Sequence, residues 1–325
     1  MGNGSILGTV IPLFALVLVG YAASYFPAFE SVATSQAINN FVFWVALPAL
    51  LFSSVATADL SAGIPWSFVL ANLLAIAVIY VFGFLFSRAA FRRDAPTGLV
   101  TGMLAGYGNV AYLGVPLLVG TQGAAAALPV ALGQLIHNLS FMISYPAVAA
   151  VLSARAAGPG AARTTTLTRD ITRSVVLNPV TLSVAAGLVF AILRIGLPGP
   201  LAHTTQLLGG AAAPGALFTL GLTLRRAVAA FRDGSVRVSE VGLTVGVKLV
   251  AMPLLALLLV TFVIHLPPIW AYTTVVLCGL PNAVTAYVLA QQSKVAVQQA
   301  AAAVVFSTLG SVLTLSVLTG LLAHT

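Results

Sequence analysis

Apolar runs of roughly 20 residues, separated by short polar stretches, recur along the whole chain, and each is long enough to cross the hydrocarbon of a bilayer as a helix. Ten are predicted, near residues 6–25, 36–56, 66–88, 97–121, 125–153, 177–196, 204–224, 241–265, 269–291 and 296–322. One stretch stands apart, Gly106 to Gly123. Within an apolar run it carries Asn109, Tyr112, the sequence Gly114-Val115-Pro116 and Gln122, all groups that are costly in lipid. Proline removes one intrahelical hydrogen bond and clashes with the preceding turn, so the helix is expected to open near Pro116 and to need a polar, protein-lined neighbour. Gly279-Leu280-Pro281-Asn282 repeats the device in the ninth run. Two interrupted helices of this kind point to a transporter's binding site near the bilayer midplane.

Composition places the chain firmly in the membrane. Charged residues make up 6% and the hydrophobic set 60%, and the mean hydropathy of +1.07 is incompatible with a water-exposed surface over 325 residues. A single membrane domain, 1–325, is expected, with the lipid bilayer as a partner. The first run follows Met1-Gly2-Asn3-Gly4-Ser5 with no basic segment before it, which reads as a retained span and not a cleaved leader. The basic residues do not form a nucleic-acid surface, because they sit in short loops without interleaved aromatics. Arg88, Arg92 and Arg93 follow the third run; Arg155, Arg163, Arg169 and Arg173 the fifth; Arg225, Arg226, Arg232 and Arg237 the seventh; Lys294 the ninth. Only Arg194 and Lys248 depart from the odd-numbered side, so both termini are expected outside the cytoplasm of a bacterial-type plasma membrane.

The polar segment 154–176 divides the chain into a first five-helix half, 1–153, and a second, 177–325, and reads as a cytoplasmic linker. The halves resemble each other. Pro12 and Gly20 have the separation of Pro179 and Gly187, Ala46-Leu-Pro-Ala-Leu-Leu-Phe52 matches Ala212-Ala-Pro-Gly-Ala-Leu-Phe218, and the Gly-x-Pro of Gly114 and Pro116 matches that of Gly279 and Pro281. An odd number of spans per half inverts the second relative to the first. The expected fold is therefore all-α and integral to the membrane: about ten helices in two inverted five-helix repeats, with broken helices 4 and 9 crossing at the centre.

At such a crossing the half-helices after the breaks aim their N-terminal ends inward, where free N–H groups hold an anion such as a carboxylate. Asn109 and Asn282 are the side chains best placed to help, either as ligands or as caps of the opened backbone. Tyr112 and Thr285 are candidates for a polar wall. In the fifth run Gln134 shares a helix face with His137 and Asn138. His137 is a candidate proton-responsive group or a neutral histidine held between helices. Lys248, the one charge well inside a run, either faces a cavity and attracts an anion or extends back to the headgroups. No carboxylate falls within a run, there is no nucleotide-binding loop, and neither a metal-ligand spacing nor a Ser–His–acid set occurs. Neither catalytic residues nor a metal or cofactor are expected.

Asn109-Val-Ala-Tyr-Leu-Gly-Val-Pro116 resembles the N-x-G-F-x-G-x-P signature of the auxin efflux carrier family, which includes bacterial malate/malonate permease-like members and is related to the plant PIN proteins. Leu280-Pro-Asn-Ala-Val-Thr-Ala-Tyr-Val-Leu-Ala290, Ala46 to Phe52, Asn178-Pro179 and Lys248-Leu-x-x-x-Pro253 are similar to family patterns as well, so the likeness covers essentially the whole chain. It differs at Ala111, where glycine is usual, and at Asn282 with Thr285, where Ser or Thr followed by Asn is more frequent. The resemblance implies an architecture like that of sodium/proton antiporters and bile-acid carriers. A scaffold comes from helices 1, 2, 6 and 7 and a mobile domain from 3 to 5 and 8 to 10. It also implies elevator-like alternating access and a small organic anion as substrate, bound by Asn109, Tyr112, Asn138, Asn282, Thr285 and Lys248. Homodimers are common in related families. Competing readings are a sodium-coupled symporter resembling bile-acid carriers and an anion channel.

Overall fold

In hydrocarbon, backbone N–H and C=O groups must find partners within their own segment, and a chain this apolar answers with helices. A computed structural model of the protein describes residues 4–57, 65–157, 179–232 and 236–322, and among them the regular structure is helical with no strand. The first half contains α1 (Gly4–Ala23), α2 (Val32–Ala56), α3 (Trp66–Ala90), α4 (Ala95–Gly106), α5 (Val110–Gln122) and α6 (Ala127–Ala157). The second contains α7 (Pro179–Ile192), α8 (Gly199–Gly210), α9 (Ala212–Arg232), α10 (Val238–Val263), α11 (Pro268–Gly279), α12 (Val284–Ser293) and α13 (Val297–Leu322). Five helices are long and apolar enough to cross a membrane unaided: α2, α3, α10, α13 and the Ala127–Ala149 part of α6. The linker expected from residue 154 begins later, since α6 continues to Ala157; the remainder, with Asn178, lies outside the described residues.

Helix starts follow local chemistry. Asp94 caps α4 by accepting from the Thr97 N–H at 3.2 Å, with Pro96 in the first turn, and Ser31 caps α2 through the Thr34 N–H at 3.0 Å. Three prolines inside helices are accommodated by a different device. Widened π-turns occupy Val42–Ala46, Val110–Gly114 and Val247–Ala251, and Pro48, Pro116 and Pro253 each stand two residues beyond one. An extra residue in the turn displaces the carbonyls that the ring would strike or leave unpaired, so the helix passes through the proline.

The opening expected near Pro116 is therefore elsewhere. α4 ends at Gly106, the chain leaves helical geometry at Tyr107 (ψ 103°) and Asn109 (ψ 60°), and α5 is already under way when Pro116 is reached. In the other half Leu280 is extended (ψ 151°), as the residue before a proline tends to be, and Pro281 sits within the opening itself. The two Gly-x-Pro sequences thus occupy different places in the fold.

α3 packs along α4, α1 along α9, and α2 along α7 and α8. One apolar cluster joins buried residues of α3, α4 and α10–α13 with Phe141 and Tyr145 of α6; another centres on α2, α5 and α6. Two of the close helix contacts between the halves depend on glycine. Gly20 of α1 lies against the Phe218 carbonyl and Gly221 of α9, and Gly187 of α7 lies against the Phe52 carbonyl and Val55 of α2. At one rim of the helix bundle, buried Glu240 at the start of α10 accepts from Arg93 Nε at 2.8 Å and Nη2 at 3.0 Å, fastening the α3–α4 turn to the second half.

Candidate functional site

The two helix openings meet. Gly108 and Asn282 face each other in an antiparallel bridge, flanked by Asn109 N–H donating to the Pro281 carbonyl at 2.8 Å and Ala283 N–H donating to the Tyr107 carbonyl at 2.9 Å. Each unwound segment thereby supplies partners that its own helix cannot. Gly108 is required by this approach: a Cβ there would stand 3.0 Å from the Leu277 carbonyl and 3.5 Å from Lys248 Nζ. Gly114 similarly makes room for Leu280, and Gly279 for Leu318 and Pro253.

Four helix ends converge on this bridge. α4 and α11 arrive with their carbonyl ends, α5 and α12 depart with their N–H ends, and the first-turn N–H groups of a helix lack carbonyls of their own to bond. The carbonyl ends are covered by side chains from elsewhere. Asn282 Nδ2 donates to the Leu104 carbonyl in the last turn of α4. Lys248 Nζ donates to the Cys278 carbonyl in the last turn of α11 at 2.6 Å and approaches Met252 Sδ at 3.2 Å. A cation suits a helix C-terminus, where the partial charge is negative. Lys248 is 0% exposed, which removes the alternative of a side chain extending to the headgroups, and among the described residues no carboxylate pairs with it.

The asparagines divide the roles foreseen for them. The Asn282 amide nitrogen is a cap, while its Oδ1 is buried without a partner. Asn282 N–H is held by Ser307 Oγ of α13 at 3.0 Å. Asn109 begins α5, yet its carboxamide makes no cap bond to that helix. Asn138 of α6 accepts from the Tyr107 hydroxyl, Tyr107 stacks on Phe141 at 4.6 Å, and Thr285 stands in the first turn of α12, three residues past Asn282. Gln134 and His137 are buried on the same helix, and neither His137 ring nitrogen has a partner. Tyr112 packs among apolar side chains of the cluster around α2, α5 and α6.

The fold thus gathers Asn109, Asn138, Asn282, Thr285 and Lys248 around the bridge. Pro116 belongs to the body of α5, and Pro281 to the bridge. Sequence reasoning passed over Tyr107, Ser307 and Asn72. Asn72 of α3 is fully buried, donates to the Phe68 carbonyl at 2.9 Å and to Thr274 Oγ1 at 3.3 Å, and leaves its Oδ1 unpaired. An asparagine in the middle of an apolar span was the available signal.

The chain is similar to known transport proteins. Residues 5–319 match the model of a family described as "Membrane transport protein". A relative from Rhizobium meliloti (strain 1021), named "Putative malonate transporter", is 32% identical over 317 residues, covering 98% of this chain and 95% of the relative. An "Uncharacterized transporter" from Methanothermobacter thermautotrophicus is 27% identical over 315 residues, covering 94% and 95%.

Proposed function

The chain belongs to the membrane transport protein family, that of the auxin efflux carriers, and from this premise we propose that it is a secondary transporter of a small organic anion, a carboxylate of the malonate type. It is a transport protein and not an enzyme. The observation that carries the reading is Lys248: an ammonium with no exposed surface, set at the paired helix openings, with no carboxylate for a partner among the described residues. A buried charge without a counter-ion is costly. An anionic substrate supplies the missing charge, and the N–H ends of α5 and α12 with the Asn109 carboxamide orient it.

Three features support ten spans in two inverted halves with crossed openings. The bridge pairs one opening from each half, α4–α5 with α11–α12 in the positions of broken spans. The glycine of the first run packs on the carbonyl of Phe218 and that of the sixth on Phe52, each phenylalanine closing an Ala-x-Pro-x-x-Leu-Phe sequence of the opposite half. The apolar cluster of α3, α4 and α10–α13 with Phe141 and Tyr145 of α6 supplies much of the body that an elevator would move against α1, α2 and α7–α9.

The test is counterflow: proteoliposomes preloaded with unlabelled malonate, malate or indole-3-acetate, with the labelled anion outside, with and without sodium. Saturable, transient accumulation that disappears in Asn109→Ala and Lys248→Met supports the carrier and its site. Sodium-dependent accumulation would select the symporter scheme. Flux that neither saturates nor shows counterflow would mark a channel and overturn the proposal.

A further inference from the structure

The bridge has an outer side as well as an inner one. Its two flanking hydrogen bonds, Asn109 N–H to the Pro281 carbonyl and Ala283 N–H to the Tyr107 carbonyl, make Gly108 and Asn282 a non-hydrogen-bonded pair. The N–H and C=O of these two residues therefore point away from the partner segment. At Asn282 the outward N–H meets Ser307 Oγ of α13 at 3.0 Å. Both residues are 0% exposed, so solvent does not reach the donor. The hydroxyl's own proton goes to the Val304 carbonyl at 3.1 Å, which leaves its lone pairs for Asn282. Thr308, Ser311, Ser316 and Thr319 of the same helix donate back to carbonyls of α13, the usual economy of hydroxyls in apolar helices. Ser307 does this and accepts from another segment as well.

Asn282 is held on three sides. Ser307 takes its N–H, its Nδ2 donates to the Leu104 carbonyl, and Gly108 stands across the bridge. Two residues on, α12 begins. Ala286 N–H turns back to the Ala283 carbonyl at 3.0 Å, so the backbone donors left for a ligand at that helix end are those of Val284 and Thr285. Their placement follows from that of Asn282. The first opening is anchored in a comparable way: Tyr107, whose carbonyl accepts from Ala283, donates its hydroxyl to Asn138 of α6. Each opening is thus fastened to the next long helix of its own half. α13 is itself fixed from behind, because Val305, on the far side of the helix from Ser307, packs with Leu224 of α9 and Tyr21 of α1.

We propose that Ser307 is a positioning residue of the substrate site: its lone pair, by holding Asn282, keeps the first turn of α12 in the geometry that binds the anion. This rests on the organic-anion reading above. Without the acceptor a buried N–H is left unpaired, and the opening shifts to find another partner. Donors act on a bound anion over about 2.7–3.2 Å, so a displacement of about 1 Å forfeits the contact. The loss is one of affinity, because the face of α13 toward α1 and α9 is unaltered.

The experiment is exchange of labelled malonate against internal malonate in proteoliposomes, with half-saturation and maximal rate measured separately and the rate referred to folded carrier. Ser307→Ala and Ser307→Cys should each raise the half-saturation concentration about tenfold, with the maximal rate within about twofold of wild type. Cysteine is close to serine in size but a weak acceptor, so it separates the lone pair from the volume the side chain fills. Ser307→Thr, which keeps the acceptor, should stay within about twofold of wild type on both counts, and the alanine–cysteine pair decides if its methyl unfolds the carrier. Amide hydrogen exchange in detergent, read on the peptide containing Asn282, should quicken in the alanine and cysteine variants. An unchanged half-saturation concentration in Ser307→Ala, or a wild-type value in Ser307→Cys, would reduce the serine to packing and overturn the role, leaving the carrier intact. Absence of saturable exchange in the wild type for any anion would instead remove the organic-anion reading and the role with it.

Discussion

An ammonium enclosed by protein is normally a liability, and Lys248 is tolerated because the Cys278 carbonyl at a helix C-terminus accepts from it. That single neutral acceptor compensates only part of the cost of removing the charge from water. Lys248→Met should therefore leave the thermal midpoint in detergent unchanged or higher, while anion exchange falls by about a hundredfold, some 2–3 kcal/mol of lost binding. Lys248→Arg should not restore exchange, since a planar guanidinium on a longer stem does not repeat the ammonium's placement between the Cys278 carbonyl and Met252 Sδ. Asn282→Ala removes the donor from the Leu104 carbonyl and should lower stability by about 1–3 kcal/mol, measured by denaturation in detergent. Lys248 stood out in the sequence as the one charge within a span. Its direction was not legible there, because the acceptor that fixes it belongs to α11, 30 residues further along the chain.

The first opening falls at glycines and its proline lies inside a helix, the reverse of what the sequence suggested for it. Pro116 follows a π-turn inside α5, whereas Gly106 and Gly108 bracket the point where α4 stops. Gly108→Ala should accordingly reduce exchange by about tenfold or more, because its methyl would press on the Leu277 carbonyl at the crossing. Pro116→Ala should cost less than about threefold, since it restores an N–H to a turn already shaped to lack one. Equal losses in the two variants would return the functional opening to the proline. Where helices form was legible from the apolar runs, as was the presence of two interruptions. The exact site of each interruption was not, because a π-turn leaves no pattern in the residues that form it, and the pairing of Gly108 with Asn282 joins segments from opposite halves.

At the level of the molecule, the similarity of the halves was visible in Pro12 with Gly20, Pro179 with Gly187 and the two Ala-x-Pro-x-x-Leu-Phe sequences, and the contacts give that similarity a physical reason. Gly20 and Gly187 are kept free of side chains by the helices they touch, and without a hydrophobic drive between helices in lipid, such close backbone contact is a main source of association. The proposed inverted arrangement of ten spans would also commit the termini to one side, which can be tested by labelling. The single cysteine, Cys278, is buried and should be silent toward membrane-impermeant maleimides. Arg92, Arg194 and Lys294 are exposed and occupy turns with φ of 52°, 52° and 57°. Single cysteines there can report sidedness without disturbing a helix interior. The charge distribution requires Arg92→Cys and Lys294→Cys to label only from the cytoplasmic face and Arg194→Cys only from the opposite one. Labelling of Arg92→Cys and Lys294→Cys from opposite faces would break the inverted arrangement, because these turns follow α3 and α12 and must emerge together if the openings are to cross.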